Sequence, residues 1–225
     1  MLIALEGIDG AGKSTVAREV TRQLQQASVD ASFIDRKAWG GSEPGTAART
    51  ETLAQLIWGG EASEDLFGPL HWIFLIASWY AALERTQPWP QDPDSVVVVD
   101  GWYYRPIAKT VVRAGADPAW LDSLFEFAVT PEIVVLLDVA PATAWARGTA
   151  FTEAEIGRWD GYHGAPDTAF CTYQGRIREE LVRMAKCRNW IRFAPDRSAG
   201  VGAVSAQIVA KLLPRVGQPL LGSRS

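Results

Sequence analysis

Short apolar runs alternate with stretches of helical spacing from one end of the chain to the other. Leu2–Leu5, Ala31–Ile34, Val96–Val99, Ile133–Leu137 and the weaker Trp190–Phe193 each predict a strand. Val96–Val99 and Ile133–Leu137 are unbroken runs of valine, isoleucine and leucine, the pattern of strands buried on both faces of a parallel sheet. Helical spacing predicts helices over about Ser14–Ala27, Thr50–Trp58, Leu70–Leu83 and Gly202–Leu213. The third is apolar and rich in aromatic rings. It has to end ahead of Pro88-Trp-Pro90, because proline disfavours helix in the residue before it. Strands separated by helices imply right-handed crossovers, so the expected fold class is α/β, with about five parallel strands between helical layers. Between Arg147 and Phe170 the pattern turns polar and glycine-containing, which predicts a flap. One domain over residues 1–216 is expected, with a lid at about 147–170 and a flexible tail at 217–225.

The first turn after a strand carries the clearest chemistry. Gly7-Ile-Asp-Gly-Ala-Gly12-Lys13-Ser14 fits G-x-x-x-x-G-K-[ST], following a strand and opening a helix. Glycines let successive N–H groups converge on one anionic site at the helix N-terminus. Gly7, Asp9, Gly10, Ala11, Gly12, Lys13, Ser14 and Thr15 are therefore the expected nucleotide-binding residues. Lys13 can reach the terminal phosphates and the Ser14 hydroxyl can bind Mg²⁺. Asp100 and Asp138 each end a hydrophobic strand, where ligands of open α/β sheets bind. Asp100 is the expected second contact to magnesium, and Asp138 is expected to serve as a cap or turn residue. Asp9 could face the acceptor side of the γ-phosphate, orienting a hydroxyl or contacting a sugar.

Composition narrows the partners. Of 225 residues, 48% are hydrophobic and 21% charged, which excludes a disordered or fibrous chain. Acidic residues exceed basic ones by 26 to 22. Proteins that live on nucleic-acid phosphates need a basic face, so no nucleic-acid polymer is expected as partner. Cys171 and Cys187 fit neither a disulfide framework nor a zinc site, which suggests a reducing, cytoplasmic setting. No signal peptide and no membrane segment are visible. Ten tryptophans stand out; such rings fill cores and also line small-molecule pockets.

The stretch Leu5-Glu-Gly-Ile-Asp-Gly-Ala-Gly-Lys-Ser-Thr15 resembles the phosphate loop of thymidylate kinases nearly residue for residue. Leu137-Asp-Val-Ala-Pro141 followed by Arg147 is similar to the family's entry to its lid. Arg176-Ile-Arg-Glu-Glu-Leu-Val-Arg-Met-Ala185 resembles the helix after that lid. Together these pieces span about residues 2–213. The resemblance implies a three-layer P-loop kinase fold, and transfer of the γ-phosphate of ATP, with Mg²⁺, to a small-molecule acceptor. It also implies a possible homodimer, for which the apolar helix Leu70–Leu83 could supply the surface. Arg147 matches a lid-entry arginine, and Arg158 within the flap is a second candidate to neutralise the transferring group; with Lys13 and Asp9 they make up the expected catalytic set.

The departures fall on the acceptor side. Lys37-Ala-Trp-Gly-Gly-Ser42 lies where the family has Arg-Glu-Pro-Gly-Gly-Thr, and Arg49 keeps the family's step. The family's arginine after the strand aspartate is Gly101 here, and its arginine on the aromatic helix is Trp79. In the family those two bind the acceptor's monophosphate. Their loss, with Trp39, Trp79, Trp102 and Tyr103 converging on the same inferred pocket, suggests an acceptor other than thymidylate, one without a phosphate at the receiving end. The expected acceptor site comprises Lys37, Trp39, Arg49, Leu75, Trp79, Asp100, Trp102 and Tyr103. Two alternatives stay open: a thymidylate kinase in which Arg49, Arg105 or Lys109 substitutes for the lost arginines, and a nucleotide-binding regulator without transfer activity. A guanine-reading Asn-Lys-x-Asp segment is absent, which argues against a GTPase of that design.

Overall fold

The valine and isoleucine runs bury completely and pair with one another. The computed structural model of the chain describes residues 1–35, 37, 43–59, 65–86, 95–148, 150–196 and 198–216. Among these, five strands form one parallel sheet: β1 (Leu2–Glu6), β2 (Ala31–Ile34), β3 (Val96–Val99), β4 (Ile133–Leu137) and β5 (Ile191–Phe193), in the order β2-β3-β1-β4-β5. The register aligns Ala4 with Val99 on one side and with Val134 on the other. β1 thus lies between two strands that follow it in sequence, so the chain leaves its carboxyl end at the switch point where such sheets bind ligands.

Helices cover both faces: α1 (Lys13–Gln26), α2 (Pro44–Trp58), α3 (Gly68–Thr86), α4 (Tyr104–Ala114), α5 (Pro118–Leu124), α6 (Pro141–Arg147), α7 (Glu153–Ile156), α8 (Pro166–Cys187) and α9 (Val201–Leu212). The four longest predicted helices are present, and α2 begins earlier than its apolar spacing suggests because Pro44 sits in its first turn. The sequence reading passed over α4, whose polar face carries Arg105, Lys109 and Arg113. The stretch read as a flap is more ordered than its polar composition implies. It contains α7, closed by a Thr152–Glu155 capping box, a 3₁₀ turn at Arg158–Asp160, and the first turn of α8. None of the described helices is long and apolar enough to cross a membrane. The tail at 217–225 lies outside the described residues.

Candidate active site

The loop between β1 and α1 has the curl its glycines predict. Gly7 has φ +155° and an added Cβ there would lie 2.8 Å from the Leu137 carbonyl, so only glycine lets the loop pass β4 this closely. Gly10 and Gly12 also take positive φ. The Lys13 ammonium donates to the carbonyls of Gly7 at 2.9 Å and Ile8 at 2.8 Å, arching over the loop. α1 starts with no side-chain cap and no acid in its first turn, so its first N–H groups and its dipole face the anion site. Ser14 and Thr15 are exposed at this end, while Ala11 is buried beneath it.

Ser14 and Asp100, the two residues expected to contact Mg²⁺, lie side by side. The Ser14 hydroxyl donates to Oδ2 of Asp100, which stands just past β3. Oδ1 of Asp100 is buried and has no hydrogen-bond partner among the described residues. A desolvated, unsatisfied carboxylate oxygen beside a hydroxyl is a fitting pair for Mg²⁺, which takes one or two protein oxygens and completes its shell with phosphate and water. Glu6 fixes the turn beyond by accepting the Trp102 N–H at 2.8 Å. Asp138 has a structural part: its buried carboxylate accepts from Arg178 at 2.6 Å and from Arg192 at 2.7 Å, joining β4 to α8 and β5.

A cavity of about 540 Å³ opens beside the loop, within the size range of small-molecule sites. Asp9 of the loop lines it, together with Trp58 of α2, Trp72 of α3, Arg105, Lys109 and Arg113 of α4, Glu155 of α7, Trp159 of the 3₁₀ turn and Tyr173 of α8. Asp9 pairs with Arg105 and stands 3.4 Å from the Lys109 ammonium. Burial holds the Lys109 ammonium down to about 7, and the positive charge of Arg105 adds to the effect. Gln174, fully buried on α8, accepts from the Asp9 N–H and donates to the Asp9 carboxylate, both at 3.2 Å, and donates to the Glu155 carbonyl at 2.8 Å. One amide thereby links the phosphate loop to the lid. Across the cavity Arg113 pairs with both Asp65 and Asp160, and the Trp72 and Trp159 rings stack at 5.8 Å, so the lid is tied to α3 and α4. Burial alone would raise the Asp65 carboxyl; hydrogen bonds from Arg113 and from the Gly68 and Phe67 N–H groups outweigh it and hold that carboxyl below its usual range.

The placement of the expected acceptor residues needs correction. Trp79, Trp102 and Tyr103 are core rings, 0%, 1% and 6% exposed, and none lines the cavity. Trp79 packs edge-on behind Trp58, Trp102 donates its Nε1–H to the Val129 carbonyl, and Tyr103 stacks on Phe125. The physical reason is that β3 and α3 share one aromatic core, and large rings there gain more from full burial than from a half-wet wall. Leu75 is half-buried on α3 and Arg49 is exposed on α2, both off the cavity wall; Lys37 lines it, and Trp39 lies outside the described residues. Arg147 is exposed at the end of α6. Arg158 donates to the carbonyls of Tyr162 at 2.9 Å and Gly164 at 2.7 Å, bracing the lid. Residues that the sequence reading did not single out are Arg113, Gln174, Trp72 and Trp159. The recurrence of basic residues at 105, 109 and 113, four apart, was the one signal that could have found Arg113.

The family model for thymidylate kinase matches residues 5–158. The chain is 28% identical to the thymidylate kinase of Chlorobium limicola, over 71% of this chain and 74% of that protein. It is 34% identical to the thymidylate kinase of Xanthomonas oryzae pv. oryzae, over 65% of this chain and 60% of the relative. A probable thymidylate kinase of Archaeoglobus fulgidus is 31% identical over 65% of this chain and 68% of its own length.

Proposed function

The chain belongs to the thymidylate kinase family, and from that premise we propose that it transfers the γ-phosphoryl group of ATP to a nucleotide-like small molecule held in the 540 Å³ cavity. The observation that carries this reading is the double membership of Asp9. It belongs to the phosphate loop, and its carboxylate is gripped by Arg105 of the cavity wall. In this reading donor and acceptor sites share a side chain, which would set the two substrates end to end for in-line transfer.

The loop amides and Lys13 would hold the β- and γ-phosphates, and Ser14 with Asp100 would hold Mg²⁺, which supplies positive charge to the transferring group. An acceptor oxygen attacks the γ-phosphorus, a new P–O bond forms, and ADP leaves with the electrons of the broken bond. Trp159 and Glu155 reach the cavity edge through contacts to Trp72 and Gln174, and by these the lid would exclude water from a bound acceptor. Trp79 and Trp102 lie in the core, while Trp58, Trp72 and Trp159 line the cavity beside Arg105, Lys109 and Arg113, so the wall offers ring faces for a base together with cations for a phosphate. Thymidylate is the first acceptor to test, because the relatives carry that name. The test is ADP release with ATP and Mg²⁺, alone and with thymidylate, other nucleoside monophosphates and the matching nucleosides. Stimulation by at least one acceptor supports the reading; ATP binding without stimulation by any of them overturns it in favour of a nucleotide-binding regulator.

A further inference from the structure

We propose that Gln174 is a positioning residue that transmits occupancy of the phosphate loop to the lid, through the peptide joining Ile8 to Asp9. This goes beyond the reading above and rests on the loop binding a triphosphate. That peptide plane is held from two sides. Its carbonyl, on Ile8, accepts from the Lys13 ammonium at 2.8 Å and from the Ala11 N–H at 3.3 Å. Its N–H, on Asp9, donates to Oε1 of Gln174 at 3.2 Å. Gln174 lies on α8, 165 residues away in sequence, and is fully buried.

The nitrogen of the same amide serves the Asp9 side chain and the lid. Nε2 donates to Oδ2 of Asp9 at 3.2 Å and to the Glu155 carbonyl at 2.8 Å. Glu155 belongs to α7, a single turn closed by its capping box, so displacing that carbonyl displaces the whole turn. The amide is planar, and its oxygen and nitrogen swing as one unit. Buried hydrogen-bonding groups are costly to leave unpaired, so these three contacts shift together more readily than they break.

A triphosphate changes the balance at this peptide. To reach the β- and γ-phosphates, the Lys13 ammonium has to release the carbonyls of Gly7 and Ile8. The Ile8–Asp9 plane then loses a charge-assisted partner on its oxygen side and keeps Gln174 on its N–H side. A tilt of the plane turns the Gln174 amide and is delivered to α7. The lid also touches the loop through Phe151, whose ring lies 3.0 Å from where a Cβ on Gly10 would stand. That contact is apolar and tolerates sliding, whereas a hydrogen bond weakens steeply as its angle opens. The directional link is Gln174.

The experiment is hydrogen–deuterium exchange of the full chain, with and without a non-hydrolysable ATP analogue and Mg²⁺, read on peptides covering the phosphate loop and the lid. In the wild type the analogue should slow exchange in the loop and, by about fivefold or more, in the lid. Gln174→Met keeps a similar volume and removes the hydrogen bonds. In that variant loop protection should persist, while slowing of the lid should fall below about twofold. An amide with a structural part alone would raise lid exchange equally with and without nucleotide, leaving the ratio of the two rates unchanged. Gln174→Asn, one methylene too short to span Asp9 and Glu155, should behave as Gln174→Met does, and it carries the test if the methionine variant does not fold. Lid slowing that survives in a folded variant overturns the proposal, as does a protected loop with an unresponsive lid in the wild type. A wild-type loop left unprotected sinks the triphosphate reading itself, and the coupling falls with it.

Discussion

Lys13 is half-buried and its ammonium donates to the carbonyls of its own loop, so its charge is placed to act on ligand phosphates more than on the core. Lys13→Ala is expected to lower ADP release roughly 100-fold or more while moving the melting temperature by no more than about 2 °C, read by steady-state kinetics and thermal unfolding. Asp100 contributes differently, through one oxygen bonded to Ser14 and one left over. Asp100→Asn should raise the Mg²⁺ concentration needed for half-maximal turnover about tenfold or more, and chelation of Mg²⁺ should stop turnover in the wild type. A Mg²⁺ titration unchanged by Asp100→Asn would remove this carboxylate from the metal site. Gly7 and Asp100 were legible as chemistry in the sequence because the phosphate-loop pattern is local and each strand end is a defined point in an open sheet. Trp79 and Trp102 were not. A tryptophan on an apolar helix or after a strand has the same sequence signature whether it faces core or cavity, and only packing against Trp58, Tyr80 and Val129 decides.

At the level of elements, α4 and the lid depend on each other through Arg113. Its guanidinium joins Asp65 ahead of α3 to Asp160 in the 3₁₀ turn, with all three side chains largely buried. Arg113→Met strands two carboxylates, and breaking such a buried arrangement costs about 3 kcal/mol, measurable as a lower urea midpoint. The Asp65 carboxyl is held below its usual range, so the stability it contributes is present above about pH 4 and is lost as pH falls through the lowered value. Urea midpoints across pH 2 to 6 should therefore decline more steeply toward acid in the wild type than in Arg113→Met. Equal slopes would show that Asp65 does not depend on Arg113. The strands were readable because a continuous apolar run buried on both faces has few other folds open to it; β2, β3 and β4 fall on the predicted bounds. α4 was passed over because its buried positions, Tyr104, Ile107 and Ala108, are interleaved with charges that become cavity wall only once α8 and the lid close over them.

Across the whole molecule, loop, cavity and lid respond together because Gln174 and Asp9 join them from opposite ends of the chain, 165 residues apart in sequence. A ligand that engages the loop should stabilise the entire fold by mass action. An ATP analogue with Mg²⁺ at about 100 times its dissociation constant should add roughly 2.7 kcal/mol, a rise of about 5–10 °C in melting temperature. The same rise in Lys13→Ala would show that the triphosphate binds elsewhere. What the sequence determined by itself was local: the strand-forming runs, the glycine-rich turn after β1 and the phosphate-loop resemblance to a kinase family. Each of these is written within a few neighbouring residues, where backbone sterics and apolar periodicity act directly. Only the tertiary structure decided which rings are core and which are wall, that Ser14 meets Asp100, and that Arg105, Lys109 and Arg113 of α4 line the cavity. Those outcomes depend on side chains far apart in sequence competing for one interior, and burial of a ring or pairing of a charge is settled by the neighbours that the fold supplies.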